Sequence, residues 1–593
     1  MRFSKLYILA VVVSVLVLAG CKDMLEPTND YHVTYDRALV DPAVSEGFLM
    51  NAYTKIPTLS WSFSEVATDD AVTNVKTNSY LQMATGMWSA INNQGNIWTS
   101  GNEAILYLNL FLTQIDTVTW SWNNPDLNKM FKARLRGEAY GLRAYFRYQM
   151  LIRHGGKSAS GQLLGVPLFN GVLTEGDNFN LPRAPFKTCI DSIYADFNRA
   201  MIYLPLDYQD LTAASQIPAL WMNVILADYN KVWGKVNNQR ISKRIILGLK
   251  SKVATLAAST AFNPNNEQAL WVTAANTSAD VLNINQAGAG IAGLDPVGYK
   301  FYVSTYTDKV SVTADQKEML WRANVSATSN ALERRMYPPG LQGNGEVNPT
   351  QNLVDAFPAK NGYPISHPSS GFVATTPYTN RDPRLDLYIV RNGASMQSPA
   401  KVIFTGVGGG TNGKDSIGTS TRTGYYMRKL LREDAVFNAD GTSTTRKHYQ
   451  VHLRYTDLFL NYAEAANEAW GPTTAGGNGT YTAKDVVAAI RKRAGITQPD
   501  AYLNSLTTKE EMRTLIRNER RLELCFEGHR FWDMRRWGLP LNETAKGVNT
   551  NKAGNSFVYV DIEPRKYLPH MQYGPIAATE ILKYPAIEQN AGW

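Results

Sequence analysis

The chain has 593 residues, 44% of them hydrophobic, with 60 basic against 51 acidic side chains and a formal charge of +9. The basic residues are scattered, and the runs Arg491-Lys492-Arg493 and Arg535-Arg536 are short and lie among carboxylates. That excludes the continuous basic footprint of a nucleic-acid binder, and three cysteines are too few for a disulfide framework.

Arg2 and Lys5 form a short basic n-region, and Leu6–Leu18 is apolar apart from Ser14. The run falls short of the about 20 residues a membrane-spanning helix needs and has the layout of a secretory signal. It closes on Leu18-Ala19-Gly20-Cys21, which resembles a bacterial lipobox. In that motif small residues fit the peptidase and the cysteine thiol receives a diacylglycerol. Residues 1–20 are therefore expected to be removed, leaving 573 residues that begin at the lipid-attachment residue Cys21 and carry +7. Acyl chains contribute about 0.8 kcal/mol per buried methylene, so the expectation is a chain anchored to a membrane rather than spanning it. Cys189 and Cys525 remain, both in apolar helical contexts, and read as buried free thiols.

Helical periodicity dominates the region 21–284. Glu103–Val118 carries Ile105, Leu108, Leu112 and Ile115 on one face, and Lys129–Ile152 is a second long helix stopped by Gly155-Gly156. Cys189–Tyr203 is a third, ending before Pro205; "ISKRIILGLKSKVATLAAS" and "LWVTAANTSADVL" are a fourth and fifth. Such repeated hairpins predict a mainly α, tetratricopeptide-like scaffold, although no strict 34-residue period is present. In the second region, 285–593, the sequence is loop-rich to about Gln450, with Gly, Asn, Thr and Pro and short strands. Helices are then expected over Val451–Trp470 and Thr508–Glu527. Thr508 and Glu511 have capping-box spacing at the start of the last one, and Gly528 stands where its stop is expected.

The run "LCFEGHRFWDMRRWG", Leu524–Gly538, concentrates Glu, His, Asp, Arg and Trp as a metal or catalytic centre would. The preceding helix alternates charge signs, as in a salt-bridge-laced helix, so His529 and Asp533 have partners without a ligand. His448 and His452 are four apart, but "KHYQV" reads as extended and no third metal ligand is near. "GGGTNGKD", Gly408–Asp415, approaches a phosphate loop, yet Asp415 replaces its Ser/Thr and no good helix follows. A glycoside hydrolase would need two carboxylates about 5–9.5 Å apart; no recognisable catalytic pairing, nucleophile elbow or HExxH pattern is present.

Several stretches together resemble one family. "IRNERRLELCFEGHRFWDMRRWG" is similar to the C-terminal signature of SusD/RagB-type outer-membrane lipoproteins, and "LRYTDLFLNYAEAANE" to the helix before it. "PTQNLVDAFPAKNGYPI", "RDPRL" and "TGYYMRKL" are similar to its middle region, and "KYPAIEQNAGW" to its chain end. The acidic residues Asp23 and Glu26 behind Cys21 also resemble surface-export signals of Bacteroidota lipoproteins. The resemblance implies a non-catalytic helical scaffold; no cofactor and no metal ligand is assigned, and a structural calcium ion is left open. It also implies a TonB-dependent transporter (a SusC-like barrel) as partner, over which the lipoprotein acts as a hinged lid, and an oligosaccharide or, in some members, a peptide as ligand. A glycoside hydrolase or a structural helical-repeat adaptor is the remaining alternative.

Sugars offer flat C–H faces to aromatic rings and hydroxyls to Asp, Asn and Arg. The segment 61–98 has that mixture, including Trp61, Asp69, Asp70, Trp88 and Trp98, and its "TDDAVTN" is similar to a polar segment near the family's binding face. The candidate ligand residues are therefore Asp69, Asp70, Trp88 and Trp98, with Tyr337 and Arg381 from the loop-rich half.

Overall fold

A computed structural model describes residues 37, 39–397 and 399–593. The expected signal peptide and Cys21 lie outside the described residues. No helix among those described is long and apolar enough to cross a membrane.

The first half is a stack of helical hairpins: α1 (Pro42–Thr54), α2 (Trp98–Gln114), α3 (Pro125–His154), α4 (Phe186–Tyr203), α5 (Leu226–Trp233), α6 (Lys243–Ala258) and α7 (Gln268–Asn283). Late in the chain come α8 (Tyr455–Trp470), α9 (Ala483–Ala494), α10 (Lys509–Glu523) and α11 (Arg530–Arg536). The mainly helical class and the five early helices agree with the sequence reading, within a few residues at each end except for the start of α2. Asn124 explains the early start of α3: its side chain accepts from Asp126 and Leu127 N–H, and Pro125 presets the first helical φ. Close helix approach uses small residues; a Cβ on Gly141 of α3 would sit 2.6 Å from Ile241.

Two expectations need correction. Val451–Trp470 is not one helix: Val451–Arg454 is a strand, and α8 starts only at Tyr455. Leu453 and Arg454 pair antiparallel with Trp321 and Met319, and Glu318 Oε1 accepts the Thr456 N–H at the helix start. Thr508–Glu527 also ends early, at Glu523; the capping box is present, but Phe526 and Gly528 both have positive φ and turn the chain into α11.

Strands are short and paired in twos: β1 (Ala71–Thr73) with β4 (Val347–Pro349), β2 (Met319–Arg322) with β6 (Val451–Arg454), β3 (Ser326–Ser329) with β5 (Arg446–His448), and β7 (Ala545–Thr550) with β8 (Phe557–Glu563). The apolar cores do not follow the expected division at residue 284. One core joins α1–α4, α6 and α7 to α8–α10. A second joins residues 63–88 to the loop-rich 301–437 and to Leu522–Met534. The end of α10 therefore lies where both cores meet.

Candidate functional site

The early polar segment and the C-terminal signature touch. Arg521 donates to Asp70 Oδ1 at 2.6 Å and to Asp69 Oδ2 at 2.8 Å, and Arg530 donates to both Asp69 oxygens at 3.1 Å. Burial works to raise the Asp69 carboxyl, but Arg521 and Arg530 outweigh it and hold it below the usual carboxylate range. For Asp70 burial wins over Arg521, and its carboxyl is lifted.

None of the six candidate ligand residues is more than 6% exposed. Trp88 packs its ring 5.7 Å from Phe531 and 5.0 Å from Trp593, and Trp98 meets His154 edge-on at 5.4 Å. Tyr337 donates its hydroxyl to Arg432 O and Ala435 O, and Arg381 donates to the carbonyls of Val354, Phe357 and Pro377. Asp69, Asp70, Trp88, Tyr337 and Arg381 are thus placed inside the fold, where their rings and charges serve packing and pairing; Trp98, also buried, lies on the wall of a cavity with Asn102, Glu103 and Phe169.

From the same segment, half-buried Trp61 does reach an open site. A cleft of about 190 Å³ lies between the turn Trp61–Phe63, the strands β5 and β6 with their connection, and the turn Phe526–His529. Phe63 takes a left-handed φ of 45°, which swings Trp61 toward β5; its ring stands edge-on to His448 at 6.3 Å. Lys447, Tyr449 and Gln450 also line the cleft. Lys447 Nζ is bonded to the carbonyls of Asp308 and Val310, and Gln450 Oε1 accepts from Ser60 N–H. The residue types in "KHYQVHLR" were visible in the sequence; the signal that could have pointed to them was its alternation of apolar and polar side chains. His448 and His452 sit on different strands. His448 binds Glu333 at 2.9 Å, and burial lowers the His452 ring to about 4 against Trp321.

Beneath the cleft is a buried charge network. Arg454 reaches Glu527 at 2.7 Å, Glu318 at 2.7 Å and the Glu523 carbonyl at 2.8 Å, while Lys429 binds Glu527 at 2.6 Å. Burial raises the Glu527 carboxyl, but Arg454 and Lys429 prevail and bring it down to about 2. Asp457, the other carboxylate on the lining, is held well below the usual range: Lys252 and Arg520 overcome its burial. Neither acid is poised to donate a proton near neutral pH, as a glycosidic general acid must. On the far side of the turn, His529 lies by Arg520 and Asp533, and burial lowers its ring to about 4. Among the described residues, no group of three or more His, Cys, Asp or Glu could hold a metal ion. Cys189 and Cys525 are buried free thiols.

Two family models match the chain. The SusD family model covers residues 310–593, and a SusD-like model described as starch-binding associating with outer membrane covers residues 25–220. The chain belongs to the SusD/RagB family. Its fold is similar to a SusD-like protein of Bacteroides fragilis, with a TM-score of 0.69 at 24% identity over 96% of this chain and 100% of that one. A SusD-like carbohydrate binding protein of the same organism gives 0.66 at 20% identity, over 93% of this chain and 99% of that one. A curated SusD-like protein of Formosa agariphila is 31% identical over 120 residues, a stretch spanning 20% of this chain and 20% of that protein. Within this SusD/RagB chain, the signature Leu524–Gly538 supplies internal ion pairs and anchors, which answers its crowding of charge without a catalytic role for His529.

Proposed function

We propose that this SusD/RagB protein is a surface lipoprotein, anchored through Cys21, that captures an oligosaccharide and passes it to a TonB-dependent outer-membrane transporter. The observation that carries the reading is the match of both halves to SusD models, one of them described as starch-binding associating with outer membrane. The cleft at Trp61 adds a ring edge and polar side chains of the kind that sugars engage, in a scaffold whose lining carboxylates are locked in ion pairs. Specificity pockets of this kind combine aromatic walls with a few placed polar groups.

An exposed apolar face supports the partner. The segment 219–236 packs across the start of α3, with Asn223 bonded to Asp126 at 3.0 Å. It leaves Leu220, Met222, Ile225 and Val236 exposed, and Trp122 is exposed just before α3. Apolar surface of this kind on a folded chain marks an interaction site.

Calorimetric titration of the protein with a panel of polysaccharides and peptides tests the ligand. Saturable glycan binding with no release of reducing ends is expected; peptide binding alone would replace the glycan, and product release would overturn the non-catalytic reading. For the anchor, Cys21→Ala should move the protein out of the detergent phase in a partitioning assay. Continued quantitative partitioning into detergent would sink the lipoprotein assignment.

A further inference from the structure

A second cavity, of about 200 Å³, lies on the other side of the Gly528–His529 turn, between α3, α6, α8 and α11. Four cations line it: Arg153, Lys252, Arg520 and Arg536. Three of them are compensated. Arg520 pairs with Asp533 at 2.6 Å and Asp457 at 2.7 Å, Arg536 with Glu464 at 2.6 Å and Asp533 at 2.9 Å, and Lys252 with Asp457 at 2.7 Å. Three carboxylates thus balance three cations.

Arg153 is different. Among the described residues it makes no salt bridge; only its Nη1 is bonded, to Gln149 O at 3.1 Å and Gln149 Oε1 at 2.6 Å. Its guanidinium lies 4.9 Å from the centre of the Trp532 ring. Arg535 lies 5.1 Å from the same ring, and its Nε bonds only to the carbonyls of Met571 and Gln572. Burial lowers the Arg153 guanidinium and brings Arg535 to about 10. Neighbouring His529 and His154 add no charge at neutral pH, since burial lowers them to about 4 and 3.

A guanidinium partly withdrawn from water beside an aromatic ring and without a counter-charge favours an anion that can take its free N–H groups. The fork of Nε and Nη2 on Arg153 matches an oxyanion's paired oxygens. At about 30 Å³ per water, the cavity holds roughly six waters, room for an acidic group rather than a whole oligomer. Gln149, Ile152 and Arg153 on α3 and Trp532 on α11 are half-buried, so the cavity reaches the surface. We propose that this cavity binds the oxyanion of an acidic sugar, a carboxylate or a sulfate ester, on Arg153, and so selects acidic over neutral glycans. The inference rests on the glycan-binding reading but uses a different cavity from the cleft at Trp61.

The test titrates the full-length chain in detergent with glucuronate, glucose 6-sulfate, glucose and inorganic sulfate, following heat and melting temperature. At least one sugar acid should bind saturably, one per chain, in the millimolar range or tighter, and better than both glucose and inorganic sulfate. Arg153→Gln should weaken that binding by about tenfold or more, and Arg153→Lys by less. Without ligand, Arg153→Gln should melt no lower than the wild type, because it removes an uncompensated charge, which keeps the variant usable. Binding of neither sugar acid, binding equal to glucose, or binding unchanged in a folded Arg153→Gln would overturn the site. Inorganic sulfate bound as well as the sugar acids would reduce it to a free-anion site and overturn the sugar assignment. Glycan binding with no preference for acidic over neutral sugars would refute this inference while the proposed function stands; no glycan binding of any kind would refute that function itself.

Discussion

Arg520 and Arg153 line the same cavity, yet Arg520 is held by two carboxylates and Arg153 by none among the described residues. The contrast runs through the molecule. Around α10, Glu519, Arg520, Arg521 and Glu523 all point into buried ion pairs, Glu519 and Glu523 sharing Arg384. These sets tie the loop-rich half to the helical stack: Arg384 and Arg491 through Glu519, and Arg454 and Arg493 through Glu523. A fully paired buried network resists change because every deletion strands a partner, whereas an unpaired charge leaves a demand that something else can meet. Closed charge in this chain is architecture, and the half-buried Arg153 is the open charge on which the proposed ligand would act.

The strongest way to break that distinction is to open a closed set. Arg454→Ala leaves Glu318 and Glu527 buried with their main partner gone and should cost about 3–5 kcal/mol in denaturant unfolding. A loss below about 1 kcal/mol would mean that relaxation or water replaces the guanidinium, and the network would not be what joins the halves.

Glu65 offers a negative counterpart to Arg153. It is buried, accepts from Gly528 N–H at 2.7 Å, and makes no salt bridge among the described residues; its acidic neighbours are Asp70 and Glu527. Burial lifts its carboxyl to about 7, against about 4.3 in an unfolded chain. A raised value means the fold favours the proton, so this contribution is complete below about pH 4.3 and is lost as pH rises through about 7. The total is on the order of 3 kcal/mol. Glu65→Gln keeps the acceptor and removes the titration, so its stability relative to the wild type should grow between pH 5 and pH 8. A constant difference across that range would show that Glu65 finds a counter-charge or water in solution.

Much of the architecture was legible because it is local. α3, α4, α6, α7 and α10 carry their apolar stripes within single stretches, and the Thr508–Glu511 box marks its own helix. α9 carries the same local signal, a capping box of Thr482 with Asp485. Val451–Arg454 was assigned to a helix because its strand partner, Met319–Arg322, is more than 120 residues away. The site was less legible for the same reason. Composition flagged 61–98 correctly as rich in aromatic and polar residues, but Asp69 and Asp70 are consumed by arginines some 450 residues later. What a tryptophan can do depends on what covers it: within one segment Trp61 is half-buried and Trp88 is buried.

That pair also sets a smaller test. Trp61→Ala removes a half-buried ring from the cleft wall and should weaken glycan binding by roughly 5- to 150-fold, since stacking rings contribute about 1–3 kcal/mol each. The melting temperature should change little, because only part of the ring packs on the second core. Unchanged affinity in a folded Trp61→Ala protein would remove the cleft from the ligand path.

The smallest effect is expected where an ion pair lies wholly in water. Lys187 Nζ meets Asp191 Oδ2 at 2.7 Å on α4, as short as many of the buried pairs, but the two side chains are 85% and 59% exposed. Distance alone would rank it with Arg536–Glu464. Solvent screening argues otherwise: exposed pairs at this helical spacing are worth about 0.3–0.5 kcal/mol, and less when the cation precedes the acid. Lys187 also sits in the first turn of α4, where the helix dipole disfavours positive charge, so deleting it relieves one term while losing another. Lys187→Ala should therefore leave unfolding free energy within about 0.5 kcal/mol of the wild type, with any residue of the effect fading in 1 M salt, where the Debye length is about 3 Å. A loss comparable to that of Arg454→Ala would show that pairing geometry, and not burial, decides what a charge is worth in this fold.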